Sequence, residues 1–330
     1  MRIITLEEHF ATPTFFDGPA RFVKERAEKI GDRYLLVLDR LCELGEKRIT
    51  EMDDAGIDMQ VLSLSAPGVE QMEPPDAIAM ARDTNDYLAD AVKKHPTRFA
   101  GFAAVPTGAP KQAAEELERR VKQGFKGAVI NGHNKGRYLD SQFYWPILEC
   151  AEALNVPVHL HPTPPPQAVI DVSYGGFSPM VTDMLAGGAW GWHIETSVHM
   201  IRIVCGGVFD RFPKLQFIIG HMGEGLPFFF NRLDIIPMTT TKLKRPISSY
   251  LKENVHYTFS GMNYMPTYLN MFLELGGFDR IMFSADYPYQ SMKWARAFLD
   301  QVPASATDKA RIAHGNAERL LHLWFCEAFG

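Results

Sequence analysis

Four short stretches of this chain end in side chains that bind metals or move protons. The first is Ile3-Ile4-Thr5-Leu6-Glu7-Glu8-His9-Phe10, an apolar run that feeds straight into two carboxylates and an imidazole. Read as a strand it alternates sides, so Glu7 and His9 share one face and Glu8 takes the other. Two such ligands side by side make half of a metal site; an edge strand with a solvated polar end fits this segment equally well on its own. In His159-Leu160-His161-Pro162 the proline ends a strand and leaves His161 at its tip, with His159 deeper on the same face. Gly220-His221-Met222-Gly223-Glu224-Gly225 surrounds an imidazole with small residues that permit close approach, and Glu224 can orient a neighbour. Phe283-Ser284-Ala285-Asp286-Tyr287-Pro288 delivers a single carboxylate from an apolar run. Another run ends in Asn131, with His133 just beyond. Singly, each of these is an ordinary hydrogen-bonded residue. Together, a Glu, two His and an Asp at strand ends point to a divalent-metal site.

The elements that must position them alternate along the chain. Strands are expected at the opening run, 59–65, 99–105, 127–131, 156–161, 215–221, 255–260 and 280–286. Helices are expected at 40–55, 76–95, 111–123, 145–154, up to Gly206, 292–301 and 306–323, with a loop over 11–20. Strand–helix alternation predicts parallel pairing through right-handed crossovers. Eight such units predict an α/β fold, a (β/α)8 TIM barrel, in which chemistry sits at the C-terminal ends of the strands. The phosphate fingerprint of a doubly wound dinucleotide fold is missing after the first strand. With no linker or break in composition, residues 1–330 are expected to form one domain. The long loop after strand 5, Thr163 to about Gly188, exceeds ordinary connections and is a candidate lid.

Composition narrows the partners. Of the 330 residues, 46% are hydrophobic and 22% charged, as in soluble globular proteins, and the net charge of −5 argues against nucleic acid or an anionic membrane surface. No stretch approaches the roughly 20 apolar residues of a membrane span, and the N-terminus lacks the pattern of a secretory signal. Cys42, Cys150, Cys205 and Cys326 lie far apart without a C-x-x-C pair, which predicts reduced thiols and a cytoplasmic protein. The remaining histidines suggest structural roles. His193, Glu195 and His199 lack the H-E-x-x-H spacing and are expected at a helix interface with Trp190 and Trp192. His256, near the start of its strand, belongs to the stability face of the barrel.

The stretches quoted above, with Asn131-Gly132 and Gly315-Asn316-Ala317-Glu318-Arg319-Leu320, give the chain a resemblance to the amidohydrolase superfamily over nearly its whole length. Within it the chain resembles the branch of aromatic acid decarboxylases, such as those of γ-resorcylate, 2,3-dihydroxybenzoate and 5-carboxyvanillate. The resemblance implies that Glu7, His9, His161 and Asp286 hold one divalent metal ion, manganese or zinc, with no organic cofactor. It also implies that His221, with Glu224, stands beside the substrate, and that the protein is a homo-oligomer, a dimer or tetramer. Where many superfamily hydrolases carry H-x-H and a bridging residue on the fourth strand, this chain has Glu7 and Asn131. Both departures point to the mononuclear decarboxylase branch. Thr163 stands where such decarboxylases often carry an arginine, a natural carboxylate clamp; Arg232 is a candidate replacement.

These residues predict non-oxidative decarboxylation of a hydroxylated benzoate, a small aromatic acid chelated through its carboxylate and ortho hydroxyl. Asp286 is the expected proton donor to the ring carbon, with His221 and Glu224 handling charge and protons. Asn131 is expected to contact substrate, and Phe10, Phe228, Tyr287 and Tyr289 to wall the ring. The rival reading is a mononuclear metal-dependent hydrolase of a lactone or amide, with Asp286 as general base. A catalytically dead binding barrel is disfavoured because every ligand position is filled.

Overall fold

The structure is a computed structural model that describes residues 1–323; Cys326 lies outside the described residues. Its strands are β1 (Ile4–Phe10), β2 (Met59–Leu64), β3 (Phe99–Gly101), β4 (Ala103–Ala104), β5 (Ala128–Asn131), β6 (Val158–His161), β7 (Phe217–Ile219), β8 (Val255–Thr258) and β9 (Ile281–Met282). Every pair is parallel, in the order β1-β2-β3 and β4-β5-β6-β7-β8-β9. β3 and β4 are one barrel strand interrupted at Phe102, where Phe102 N donates to Leu62 O (2.9 Å) and Ala103 N to Gly127 O (2.8 Å). At the other seam Leu6 bridges Ser284 in parallel, and His9 N donates to Tyr287 O at 2.8 Å. Helices follow the strands, and the architecture is the (β/α)8 barrel expected from the alternation. The strands are buried throughout, which accounts for their continuous apolar runs.

Three local expectations need correcting. The segment 11–20 after β1 is not simply a loop: Pro13–Asp17 is helical, and two further helices, Arg21–Ile30 and Asp32–Cys42, follow it. Thr12 caps the first of these by accepting from Phe15 N at 3.2 Å, and Pro13 occupies a first-turn position where its missing N–H costs nothing. The helix expected from Arg40 to Ala55 is two, broken around Leu44 and Gly45. The sixth and eighth strands stop short, because His221–Gly223 curls into a 3₁₀ turn and Asp286 turns left-handed with φ 63°. The excursion between Thr163 and Gly188 carries two short helices, Gln167–Ser173 and Pro179–Ala186.

At the N-terminal end of the barrel, His256 accepts from Arg280 Nη1 at 2.7 Å and lines a cleft of about 530 Å³ with Lys214 and Arg319. None of the strand-end residues named above as candidate ligands lines it.

Candidate active site

A bulge in β1 sets the first ligand pair. Thr5 pairs with Gln60 and Glu8 with Leu62, so one extra residue is accommodated on β1, and Glu7 takes a left-handed φ of 62°. Glu7 and His9 both face the interior. Glu7 Oε2 accepts from Thr258 Oγ1 at 2.8 Å and from Ser260 Oγ, while Oε1 has no hydrogen-bond partner. A Cβ on Gly220 would sit 2.2 Å from Glu7 Oε1, so the strand end before His221 must lack a side chain.

Glu8 turns to the other side, and its role there is mechanical. Its carboxylate accepts from Ala285 N at 2.8 Å and Tyr287 N at 3.2 Å, the two amides flanking Asp286. Glu8 thereby fixes the left-handed turn that aims Asp286 inward. Burial pushes the Glu8 carboxyl up to about 8 despite those bonds.

His161 closes the group. Its ring centroid is 4.7 Å from that of His9, and its Nε2 lies 3.8 Å from Glu7 Oε1. His9 Nε2 is 3.2 Å from Asp286 Oδ1 without hydrogen-bond alignment. Two ligands each about 2.1 Å from one cation and at right angles lie about 3 Å apart, so this contact has the spacing of neighbouring ligands. Both ring nitrogens of His9, and Nδ1 of His161, are buried without a hydrogen-bond partner. Burial pushes His9 down to about 3, and His161 well below its ordinary value with His9 adding to the effect. Both rings are therefore neutral, with free lone pairs. Burial alone would raise Glu7, but His221 and His159 hold its carboxyl well below the usual range. Neutral imidazoles, an ionised carboxylate and a second carboxyl suit a divalent cation.

Beside this group, Glu224 Oε1 lies 2.7 Å from His221 Nδ1 and Glu224 Oε2 is bonded to His193 Nδ1. Among the described residues these three ligand-type side chains have donor atoms all within 4.8 Å of one another. Their atoms are already paired as hydrogen bonds, with the one carboxylate holding both rings. Burial would lower His221, yet Glu224 and Glu7 raise it to about 10. Asp286 goes up to about 8 through burial, with Glu7 and Glu224 adding to it and His221 opposing.

Several assignments change. His193 does not sit at a helix interface; the helix Gly191–Cys205 turns it toward Glu224, and Ser197 one turn later donates to Glu224 O at 2.5 Å. The signal in the sequence is that i, i+4 polar pair, His193 and Ser197, on one face of the helix. His199 and Glu195 are packed within the protein, and Leu139 N donates to His199 Nε2 at 2.9 Å. Phe10 stacks on Tyr87 at 6.4 Å, in the layer between strand and helix, so it does not wall the mouth. Tyr287 donates to Glu51 Oε2 at 2.7 Å beneath the Arg48 guanidinium, again behind the strand. Phe228 is 71% exposed. Arg232 is exposed, in the last turn of Leu226–Leu233, with no bond or ion pair to any site residue. The aromatic rings that do approach the group are Tyr289, 5.4 Å from His9 with its hydroxyl 2.6 Å from Ser65 Oγ, and Trp192, 6.5 Å from His221. Asn131 ends β5 opposite His161, and its backbone N donates to Oε1 of the buried Glu70 at 2.8 Å.

The amidohydrolase family model matches residues 9–323. The chain belongs to the amidohydrolase family. It is 39% identical to the γ-resorcylate decarboxylase of a Polaromonas species, over 97% of this chain and 98% of that one. The fold superposes with a TM-score of 0.89 on a Polaromonas dihydroxybenzoic acid decarboxylase with bound manganese and the inhibitor 2-nitroresorcinol, at 37% identity, covering 99% of this chain and 98% of that one. A 5-carboxyvanillate decarboxylase from Novosphingobium aromaticivorans, complexed with manganese and 4-hydroxy-3-methoxy-5-nitrobenzoic acid, gives 0.90 at 35% identity, covering 98% and 96%. This amidohydrolase thus shares its fold with enzymes that take up manganese and nitro-substituted phenols. Among its described residues, no helix is long and apolar enough to cross a membrane.

Proposed function

We propose that this amidohydrolase is a metal-dependent carboxy-lyase that removes carbon dioxide from a hydroxylated aromatic acid. The observation that carries the reading is the group Glu7, His9, His161 and Asp286, with buried ligand atoms left without hydrogen-bond partners beside a carboxyl pushed up to about 8. Those four residues would hold one divalent ion, manganese in keeping with the relatives, zinc being the alternative. When bound, the ion supplies Lewis-acid polarisation and a template for a carboxylate and its ortho hydroxyl.

The chain's own groups do the rest. Asp286, carrying its proton, gives it to the ring carbon that bears the carboxylate, so a C–H bond forms there. The C–C bond then breaks, its electron pair returns to the ring, and carbon dioxide leaves. His221, kept positive by Glu224, favours the ionised, electron-rich form of the hydroxylated ring, the form whose carbon accepts the proton. Solvent returns a proton to Asp286 for the next turnover. Tyr289 and Trp192 flank the ring, and Asn131 lies at the rim as a substrate contact. Thr163, buried against Gly132, offers no cation, which directs carboxylate binding to the metal group.

The reading extends to a homo-oligomer of single-domain subunits that works without an organic cofactor in the cytoplasm. Val172, Phe177, Met180 and Met184 are exposed on the excursion after β6, an apolar surface that favours assembly.

The test is carbon dioxide release from a panel of ortho-hydroxybenzoates, with manganese added, run beside lactones and amides. Release from the 2,6-dihydroxy or 5-carboxyvanillate type is expected. Hydrolysis of a lactone or amide with no release from any benzoate overturns the proposal in favour of a hydrolase.

A further inference from the structure

His193 bonds differently through its two nitrogens. The Glu224 carboxylate is ionised and accepts only, so His193 and His221 both present protonated Nδ1 atoms to it. His193 Nε2 lies 3.2 Å from Trp192 Nε1 and 3.0 Å from the carbonyl oxygen of Gly188. An indole N–H only donates and a carbonyl only accepts. A neutral His193 therefore serves Trp192, and an imidazolium serves Gly188. No single protonation state serves both. Gly188 closes the excursion after β6, and a Cβ there would sit 2.6 Å from the Trp192 ring, so the three groups meet at one crowded point.

We propose that His193 is a positioning residue that latches the end of the Thr163–Gly188 excursion to the Glu224–His221 pair. As an imidazolium it holds the Gly188 carbonyl; as a neutral ring it turns to Trp192 and lets the excursion loosen. The charged and titratable groups facing it are Glu224 and His221 from the turn after β7, and Asp286 from beyond β9. The latch also fixes Glu224: with both oxygens held by rings, the carboxylate cannot rotate away from His221. Its catalytic consequence rests on the decarboxylase reading, whereas the latch itself does not.

Amide hydrogen exchange of residues 167–190 tests it, compared at about pH 5.5 and about pH 8.5. After correction for intrinsic exchange, protection in the unaltered protein is expected to fall about five- to tenfold at the higher pH, the worth of one hydrogen bond. His193→Asn keeps an amide toward Glu224 but cannot reach Gly188, and should show the low protection at both pH values. His193→Gln, which reaches Gly188 without titrating, should show pH-independent protection. Equal protection of the unaltered protein at the two pH values overturns the latch, and that measurement needs no substitution to fold. Because the readout is exchange and not turnover, it stands even if no benzoate proves to be a substrate. If one does, kcat for His193→Asn should drop about tenfold with KM little changed; unchanged kcat removes the positioning role.

Discussion

His9 and His221 are both buried imidazoles of the same barrel mouth, yet they are driven in opposite directions. Burial takes His9 down to about 3, whereas at His221 the same burial is overridden by Glu224 and Glu7 and the ring rises to about 10. The difference lies in their partners. His9 has a hydrogen-bond partner on neither ring nitrogen, while His221 gives its Nδ1 to a carboxylate that a second ring also holds. An unpartnered buried polar atom costs about 1–3 kcal/mol, a cost that persists where another interaction requires the atom bare. One side of the mouth thus keeps neutral lone pairs, as a cation requires. The other keeps charge and protons, as a reacting ring requires. The strain follows the same division of space: Glu7, His221, Met222, Glu224, Ser260 and Asp286 all take positive φ around this mouth.

The sharpest way to break that contrast is to damage the two sides separately and measure both metal and turnover. On the proposed reading, Asp286→Asn removes a metal ligand and the proton donor at once. Activity should fall by about 10³-fold or more, and metal content measured on the purified protein should drop with it. Full activity in this variant would reject the decarboxylase and the hydrolase readings alike. Glu224→Gln should leave metal content at the unaltered level while kcat falls about 100-fold, since His221 loses the charge that keeps it protonated. Metal lost from Glu224→Gln would merge the two sides into one site and dissolve the comparison.

How much of this was open to view in the sequence depends on how local the cause was. Parity along β1 and the stop at Pro162 depend only on adjacent residues, so Glu7, His9 and His161 could be placed on one rim from their spacing. Glu224 and His221 are three residues apart and equally legible. His193 was not, because its partner arrives from another element and its helix is apolar enough to pass for packing. Phe10 and Tyr287 depart from expectation for the opposite reason. Each follows a residue that faces the mouth, and strand alternation or a left-handed turn sends the next side chain to the back of the sheet. Strand parity puts Glu8 on its observed face, but its task, bracketing Asp286 through two amides, needs the β1–β9 seam to be known.

A milder perturbation asks whether the bare side depends on its supports. Thr258 and Ser260 both donate to Glu7 Oε2 and leave Oε1 turned toward His161 and His221. Ser260→Ala should therefore weaken manganese binding about tenfold, read by titration of the metal-stripped protein, with kcat at saturating metal largely retained. An unchanged affinity would mean that Glu7 is held by its strand alone.

The smallest expected effect tests the rule behind the contrast at a position that binds nothing. His199 is buried, accepts from Leu139 N, and leaves Nδ1 without a partner; burial pushes it to about 3, with His133 and Arg202 contributing. Its folded value lies below the ordinary 6.5, so between these limits the unfolded chain binds a proton that the folded chain refuses. Stability from this group is therefore complete above the ordinary value and is lost as pH falls toward 3, with a slope of up to about 1.4 kcal/mol per pH unit. His199→Gln keeps an acceptor for Leu139 N but cannot titrate. Urea unfolding midpoints taken from about pH 4.5 to about pH 7.5 should show a shallower acid slope in the variant. An identical slope would mean that burial is not what keeps an unpartnered imidazole neutral here, and the account of His9 would lose its physical basis with it.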